Sequence, residues 1–150
     1  MSILKNLKSE HEALKNLLAN FDSVLEDYNQ RRDYLKTLSR LFVAYSYAKE
    51  KNFYRPLRKK KEARLRILQS MEVHILVDQL IWQLEEEDLV EEEWYVKFKT
   101  MVMLVFNIIN HDENDAFTLA SQLLKTDTLN HLGYTFQEDK ARLQRVEHRC

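Results

Sequence analysis

The chain has 150 residues, of which 45% are hydrophobic and 31% are charged, so it can bury the core of one globular domain. Its 23 Lys and Arg residues and 24 Asp and Glu residues give a net charge of −1, which excludes the strongly basic field of a nucleic-acid-binding protein. One glycine and one proline exclude Gly-rich phosphate loops and the many turns of a β-sandwich, a barrel or a βαβ fold.

Cysteine usage and hydropathy also bound the class of protein. Cys150 is the only cysteine, which excludes an intramolecular disulfide and any CxxC metal or redox motif. Residues 1–6 contain no apolar run ahead of a cleavage site, and no stretch approaches the roughly 20 apolar residues of a membrane span. We therefore expect a soluble, cytoplasmic, all-helical protein with a single domain over residues 1–150.

The first two helices are predicted from apolar residues at helical spacing. Ser2 is expected to cap the first helix, whose stripe repeats every seven residues: Leu4, Leu7, His11, Leu14, Leu18, Phe21, Leu25 and Tyr28. The polar cluster at residues 28–33 is the expected turn. The second stripe consists of Leu35, Leu38, Phe42 and Tyr45. We expect a kink or a stop at Pro56, because proline disfavours helical geometry at the preceding residue.

Charged runs separate the next two helices. A basic run at residues 58–66 is expected to be a solvated junction before the third stripe: Ile67, Ser70, His74, Val77, Ile81 and Leu84. Residues 85–93 are mostly acidic, and the last three acids suit the first turn of a following helix, whose dipole favours negative charge. The fourth stripe consists of Trp94, Met101, Leu104, Ile108, His111 and Asp115, broadened by Phe98, Val105 and Leu119.

Four long stripes with short connections predict an antiparallel up-down-up-down four-helix bundle over about residues 3–125, with a C-terminal tail over residues 126–150. Residues 126–128 and Gly133 are expected to end the fourth helix, and a short tail helix is predicted from Phe136 to Val146. Trp82 and Trp94 flank the acidic junction, and both are expected to lie in the core at that end of the bundle.

Polar residues interrupt the apolar stripes at one height along the predicted bundle. His11, His74 and His111 take inward positions, and Asp115 and Glu50 are expected in the same layer. Two facing buried carboxylates repel each other, and a cation between them removes that penalty. Imidazoles and carboxylates without a thiolate suit iron, manganese or zinc. Asp78 follows His74 at a spacing of i,i+4, which places both on one face of the third helix.

These motifs resemble those of the hemerythrin-like, or HHE cation-binding, domains over residues 3–125. The resemblance rests on four sequence elements: His11 in SEHEAL, Glu50 in SYAKE with FYRPL after it, His74 with Asp78, and His111 with Asp115 as HxxxD. It implies a mononuclear or dinuclear non-haem iron centre with His11, Glu50, His74, Asp78, His111 and Asp115 as ligands. Glu50 and Asp115 would bridge the two irons.

One residue departs from the family pattern. Ser46 stands where the family has a histidine on helix two, which implies one tight metal position and one weak or empty position. The leading hypothesis is a non-haem iron protein that senses, binds or stores oxygen, nitric oxide or iron. Two alternatives stay open: an iron enzyme acting on peroxide or nitric oxide at the vacancy left by Ser46, and a metal-free helical interaction domain. A small gas or peroxide is the expected ligand, with neither nucleic acid nor membrane as a partner.

Overall fold

The computed structural model describes residues 1–19, 21, 27–86 and 89–149, and in these ranges the chain is helical and contains no strand. Three helices are uninterrupted: α1 (Ile3–Ala19), α3 (Arg64–Leu84) and α5 (Thr126–Arg149). Helix α2 comprises Tyr28–Lys49, a π-helical turn at Glu50–Tyr54 and a last α-helical turn at Arg55–Arg58. Helix α4 comprises Glu91–His111, a π-helical turn at Asp112–Ala116 and Phe117–Leu123. The all-helical prediction is confirmed.

No helix in the described ranges is long and apolar enough to cross a membrane. Four residues that the predictions above include lie outside the described residues: Leu25, Glu87, Asp88 and Cys150.

The beginnings of α1 and α2 are fixed by side-chain caps. The Ser2 hydroxyl accepts a hydrogen bond from the backbone N–H of Leu4 at 3.2 Å, as predicted. The Asp27 carboxylate accepts from the backbone N–H groups of Asn29 and Gln30, so α2 begins at Tyr28. The predicted turn at residues 28–33 is therefore wrong. Its polar residues are the first turns of a capped helix.

The end of α2 lies two residues beyond the stop expected at Pro56, because Arg55 keeps helical backbone angles (φ −61°, ψ −47°). Pro56 lies in the last α-helical turn, directly after the π-helical turn, and the helix ends at Arg58. The basic junction is shorter than predicted, because α3 already begins at Arg64. At the other end of the acidic junction, Glu91–Glu93 occupy the first turn of α4 as expected.

The buried stripes agree with the prediction in α3 and depart from it in α4. All six predicted residues of the α3 stripe are buried. In α4 the buried side chains continue from Ile108 to Asp112, Ala116 and Ala120, whereas His111 and Asp115 are half-buried. Asp112 follows Ile108 by one helical turn, and the π-helical turn that begins there changes which later side chains face the interior.

The two tryptophans at the junction of α3 and α4 have different environments. Trp94 is buried, and its indole N–H donates to the backbone oxygen of Leu84 at 3.1 Å. Trp82 is 66% exposed, which corrects the prediction that it lies in the core. Its neighbours Ile81 and Leu84 take the inward positions of the last turn of α3, and this leaves the Trp82 side chain on the outer face.

Helix α5 packs against α1 and α2 and is much longer than the predicted tail helix over residues 136–146. Gly133 lies inside α5 and does not end a helix. Its backbone oxygen accepts a hydrogen bond from the Asn6 side-chain amide at 2.9 Å. A Cβ at position 133 would lie 2.3 Å from the backbone oxygen of Met1 and 2.8 Å from the backbone nitrogen of Ile3. The glycine is required because α5 approaches the backbone of α1 closely.

Polar contacts fix α5 on its two neighbours. On the side of α2, the Asn52 side-chain amide donates to the Asp139 carboxylate at 2.9 Å, and the Thr135 hydroxyl donates to the Asn52 side-chain oxygen at 2.7 Å. On the side of α1, Lys140 forms an ion pair with Glu10. The C-terminal segment is thus an integral part of the packed structure.

We predict that Gly133→Ala destabilises the protein although alanine is the better helix former. The added methyl group would clash with the α1 backbone, and such overpacking costs about 1–3 kcal/mol, more than the helix propensity of alanine returns. Urea unfolding followed by circular dichroism measures this change. The matched control is Asn130→Ala at an exposed position of the same helix. If Gly133→Ala proves as stable as this control, the close approach of α5 to α1 is refuted.

Candidate functional site: a buried polar network

The centre of the polar layer is the side chain of Lys49, which is completely buried. Its ammonium donates to the Asp112 carboxylate at 2.7 Å and to the Tyr45 hydroxyl at 2.5 Å. It also lies over the rings of Tyr45 and Tyr54, at 4.4 and 4.8 Å from their centroids, where the aromatic faces favour a cation. Burial lowers the pKa of Lys49 to about 8, against the opposing effect of Asp112.

Asp112 on α4 is the anion of the pair and is also completely buried. Besides the Lys49 ammonium, it accepts the hydroxyl of Tyr54, which lies 2.9 Å from each carboxylate oxygen. Burial, reinforced by the Asp112 charge, raises the pKa of both Tyr45 and Tyr54 well above its ordinary value. Both phenols therefore remain protonated and act as hydrogen-bond donors.

His11 extends the network towards α1 and the end of α4. Its Nε2 lies 2.8 Å from the Tyr45 hydroxyl and its Nδ1 lies 2.8 Å from the Glu113 carboxylate. An ionised carboxylate only accepts, so Nδ1 carries the proton and Nε2 accepts from Tyr45. Burial, and then the nearby Lys49 charge, lowers the pKa of His11 to about 2. The imidazole is neutral in the folded protein.

His74 extends the network on the other side, towards α3. Its Nδ1 lies 3.0 Å from the Ser46 hydroxyl, and its Nε2 lies 3.4 Å from the hydroxyl of Tyr54, which itself donates to Asp112. The Ser46 hydroxyl therefore donates to Nδ1, and the proton of the ring is on Nε2. Burial, followed by the charge of Lys49, holds the pKa of His74 well below its ordinary value.

These contacts form one continuous chain of hydrogen bonds, in which Asp112 accepts from both of its neighbours and Lys49 donates to both of its neighbours. From the α3 side to the α1 side the members are Ser46, His74, Tyr54, Asp112, Lys49, Tyr45, His11 and Glu113. No buried side-chain nitrogen or oxygen of the described residues lacks a hydrogen-bond partner. A complete network of this kind holds its groups in one arrangement, since displacing any member leaves a buried polar atom unpaired.

His111 and Asp115 lie apart from this network, at its edge. Their side chains are 28% and 39% exposed, so the prediction that both point into the interior is wrong. His111 Nδ1 lies 3.1 Å from the Ser70 hydroxyl, and Nε2 lies 3.6 Å from the Asp115 carboxylate. Asp115 forms an ion pair with the Arg66 guanidinium at 2.7 Å.

Glu50 and Asp78 lie in a third place, a cleft of about 450 Å³ between α2 and α3. Glu50 faces Arg55 at 3.7 Å and does not cross the interior towards Asp115. Burial, and then the nearby charge of Glu50, raises the pKa of Asp78. His74 lines the same cleft, so three of the six predicted ligands share this surface.

The arrangement of these donors does not fit a metal ion. The six predicted ligands are divided among the buried network, its edge and the cleft, and no three His, Cys, Asp or Glu residues of the described chain are grouped so that they could hold a metal ion. The imidazoles of His11 and His74 already hydrogen-bond through both ring nitrogens. The position where a cation would neutralise the buried carboxylate is taken by the Lys49 ammonium.

The residues that sequence reasoning missed are Lys49, Asp112, Tyr54 and Glu113. Two of them continue the apolar stripes. Lys49 follows Tyr45 by four residues and Phe42 by seven, and Asp112 follows Ile108 by four and Val105 by seven. Helical spacing therefore carried a signal for an oppositely charged pair on inward faces of α2 and α4.

Comparison with protein-family models, with curated proteins and with solved structures finds no significant match for this chain.

We predict that replacing Lys49 destabilises the protein strongly. Lys49→Met leaves the Asp112 carboxylate buried without its counter-ion, which costs about 3–5 kcal/mol. Lys49→Met combined with Asp112→Asn removes both charges and should recover most of this loss. Urea unfolding of the single and double variants measures both effects, with the exposed Lys59→Met as the control. A Lys49→Met protein as stable as the control would contradict the buried ion pair.

The neutral histidines predict a loss of stability in mild acid. Their pKa values are lowered in the folded state, so below the unfolded value of about 6.5 the unfolded chain binds protons that the folded protein does not. The two histidines should therefore lower the free energy of unfolding by about 3 kcal/mol between about pH 7.5 and about pH 5.5. Urea titrations at the two pH values measure this loss, and His11→Gln or His74→Gln should each halve it. Equal stability of the wild type at both values would show that the buried imidazoles are not held neutral.

Proposed function

We propose that the chain is a metal-independent helical interaction module, built like a hemerythrin-like bundle in which Lys49 takes the place of the metal ion. The observation that carries this proposal is the direct contact of the buried Lys49 ammonium with the buried Asp112 carboxylate. It favours the metal-free alternative of the sequence analysis over the leading iron hypothesis.

The physical support for the proposal is charge compensation. A buried carboxylate needs a cation nearby, and an ammonium ion of the chain itself meets that need without metal. The same ammonium opposes a second cation. At an effective dielectric constant of about 20, a divalent ion about 5 Å from an ammonium is repelled by roughly 7 kcal/mol. Metal binding beside Asp112 would therefore require the Lys49 ammonium to lose its proton or the Lys49 side chain to move away.

The proposal includes a topology. Helices α1 to α4, which carry the polar network, would form the antiparallel up-down-up-down bundle, and α5 would be a fifth helix packed against α1 and α2. The network supports this view because its members come from all four of these helices and meet in one layer.

Iron binding remains the second candidate function, and one observation favours it. Glu50, His74 and Asp78 line one cleft, and they offer oxygen, nitrogen and oxygen donors of the kind that non-haem iron takes. Under this candidate the protein would sense, bind or store oxygen, nitric oxide or iron, or would act as an enzyme on peroxide or nitric oxide.

Metal analysis of the full chain separates the two candidates. We predict that protein incubated anaerobically with Fe(II) and passed through a desalting column retains far less than one iron per chain, with an unchanged melting temperature. A ligand bound about 100-fold above its Kd would stabilise the folded state by about 2.7 kcal/mol and raise that temperature by several degrees. Retention of one or two irons per chain with such a rise would overturn the proposal.

The Ser46→His variant makes the comparison sharper. If a missing histidine is the reason for weak metal binding, the new imidazole should raise the amount of iron retained. If Lys49 excludes the metal, Ser46→His alone should change nothing, and only its combination with Lys49→Met should bind iron. Glu50→Gln in the combined variant is the matched control, because it removes one carboxylate of the same cleft.

A further inference from the structure

Four large apolar side chains are exposed along the groove between α2 and α3. Val43 and Tyr47 on α2 are 42% and 44% exposed, and Ile75 and Trp82 on α3 are 47% and 66% exposed. All four line the cleft of about 450 Å³ that also contains Glu50. Contiguous apolar surface of this kind marks a site where another surface is buried.

Charges are distributed unevenly along this groove. At the end nearer the start of α2, basic side chains of that helix, including Lys36 and Arg40, line a second cleft of about 320 Å³ opposite Glu85 and Glu86. Glu50 lies at the other end, whereas Asp78 lies between the two ends, one helical turn beyond the His74 that contacts Ser46. The two clefts share Ser39 and Glu85, so they form one continuous groove, along which α2 carries cations at one end, apolar side chains in the middle and Glu50 at the other end.

The spacing along α2 makes this groove complementary to itself. Lys36, Val43 and Glu50 are separated by seven residues, or two helical turns, and therefore lie on one face of the helix. Val43 is the midpoint between the cation and the anion. A second α2 placed antiparallel across an axis at Val43 would bring Lys36 of each copy opposite Glu50 of the other.

We propose that the partner of this groove is a second copy of the same chain, related by a twofold axis near Val43. A twofold interface is self-complementary, because the same patch serves both copies and each pairing occurs twice. Lys36 of one copy then pairs with Glu50 of the other, and the exposed apolar side chains of both copies pack together between the two ion pairs. This inference rests on the proposed function insofar as it names the partner of the interaction module.

The dimensions of the groove are sufficient for a dimer. It extends from Tyr28 to Tyr54, which at about 1.5 Å per residue is roughly 40 Å. Two helices side by side are about 20 Å wide, so the face offers roughly 800 Å² per copy, the amount that a partner contributes to a standard-size interface. The repulsion between Glu50 and Asp78 would also be relieved by the cations of the second copy.

Charge reversal tests the pairing in the full chain. Sedimentation velocity over a concentration series should show a dimer for the wild type. Lys36→Glu and Glu50→Lys should each raise the dimer Kd at least about tenfold, since like charges then face each other twice. An equimolar mixture of the two variants should form a heterodimer with wild-type affinity, because both of its contacts are complementary again. The exposed Lys59→Glu, outside the groove, is the control for a change of net charge.

A cross-link provides a second readout that does not depend on how the charged variants fold. Val43→Cys in a Cys150→Ser background should form a covalent dimer on mild oxidation, because residues at a twofold axis bring their Cα atoms within the reach of a disulfide. Tyr95→Cys in the same background, at an exposed position of α4, is the matched control and should remain monomeric.

Three results would overturn this inference. The first is a wild-type monomer at about 100 μM, far above the Kd of a specific dimer, which would mean that the groove receives a different partner. The second is a dimer that neither charge reversal weakens, and the third is a lack of cross-linking at position 43. Iron retention is measured separately, so a failure of the dimer and a failure of the metal-independent function can be told apart.

Discussion

A lysine ammonium and an aspartate carboxylate in contact, both shielded from water, constrain the rest of this molecule. Neither Lys49 nor Asp112 can lose its partner without leaving an unpaired buried charge, so α2 and α4 must keep the relative position that joins them. The hydroxyl groups of Tyr45 and Tyr54 hydrogen-bond to this ion pair and also to the imidazoles of His11 and His74. The apolar stripes of the helices pack around this ion pair, whose two charges neutralise each other.

The network contributes more to the specificity of the fold than to its stability. Buried ion pairs often stabilise a protein no better than apolar residues of similar size, because desolvation offsets their attraction. A network in which every buried donor meets an acceptor is nevertheless satisfied by only one arrangement of its helices. The two histidines illustrate this point, since each must be neutral and must carry its proton on a particular nitrogen. A helix shifted by one residue would break this order, whereas an entirely apolar core would tolerate the shift.

The sequence predicted the all-helical class and much of the core, because apolar residues at helical spacing report directly on burial. The α3 stripe from Ile67 to Leu84 is confirmed in every member. Helix ends were harder to predict in a chain that is nearly free of glycine and proline. Gly133 in particular permits a contact with the distant residues Met1 and Ile3, which local sequence does not reveal. In the candidate site, the spacing of Lys49 placed it on the inward face, but a lysine there is not a metal ligand and the metal pattern did not include it.

The π-helical turns at residues 50–54 and 112–116 affect how this chain should be compared with other helical proteins. A turn closed by i→i+5 hydrogen bonds holds one residue more than an α-helical turn, so it is equivalent to a single-residue insertion relative to an uninterrupted helix. Residues after each π-helical turn are therefore offset by one position relative to residues before it, when both are compared with an uninterrupted α-helix. An ungapped alignment across either turn would pair residues that point in different directions, and a motif such as HxxxD, which spans residues 111–115, loses its geometric meaning there.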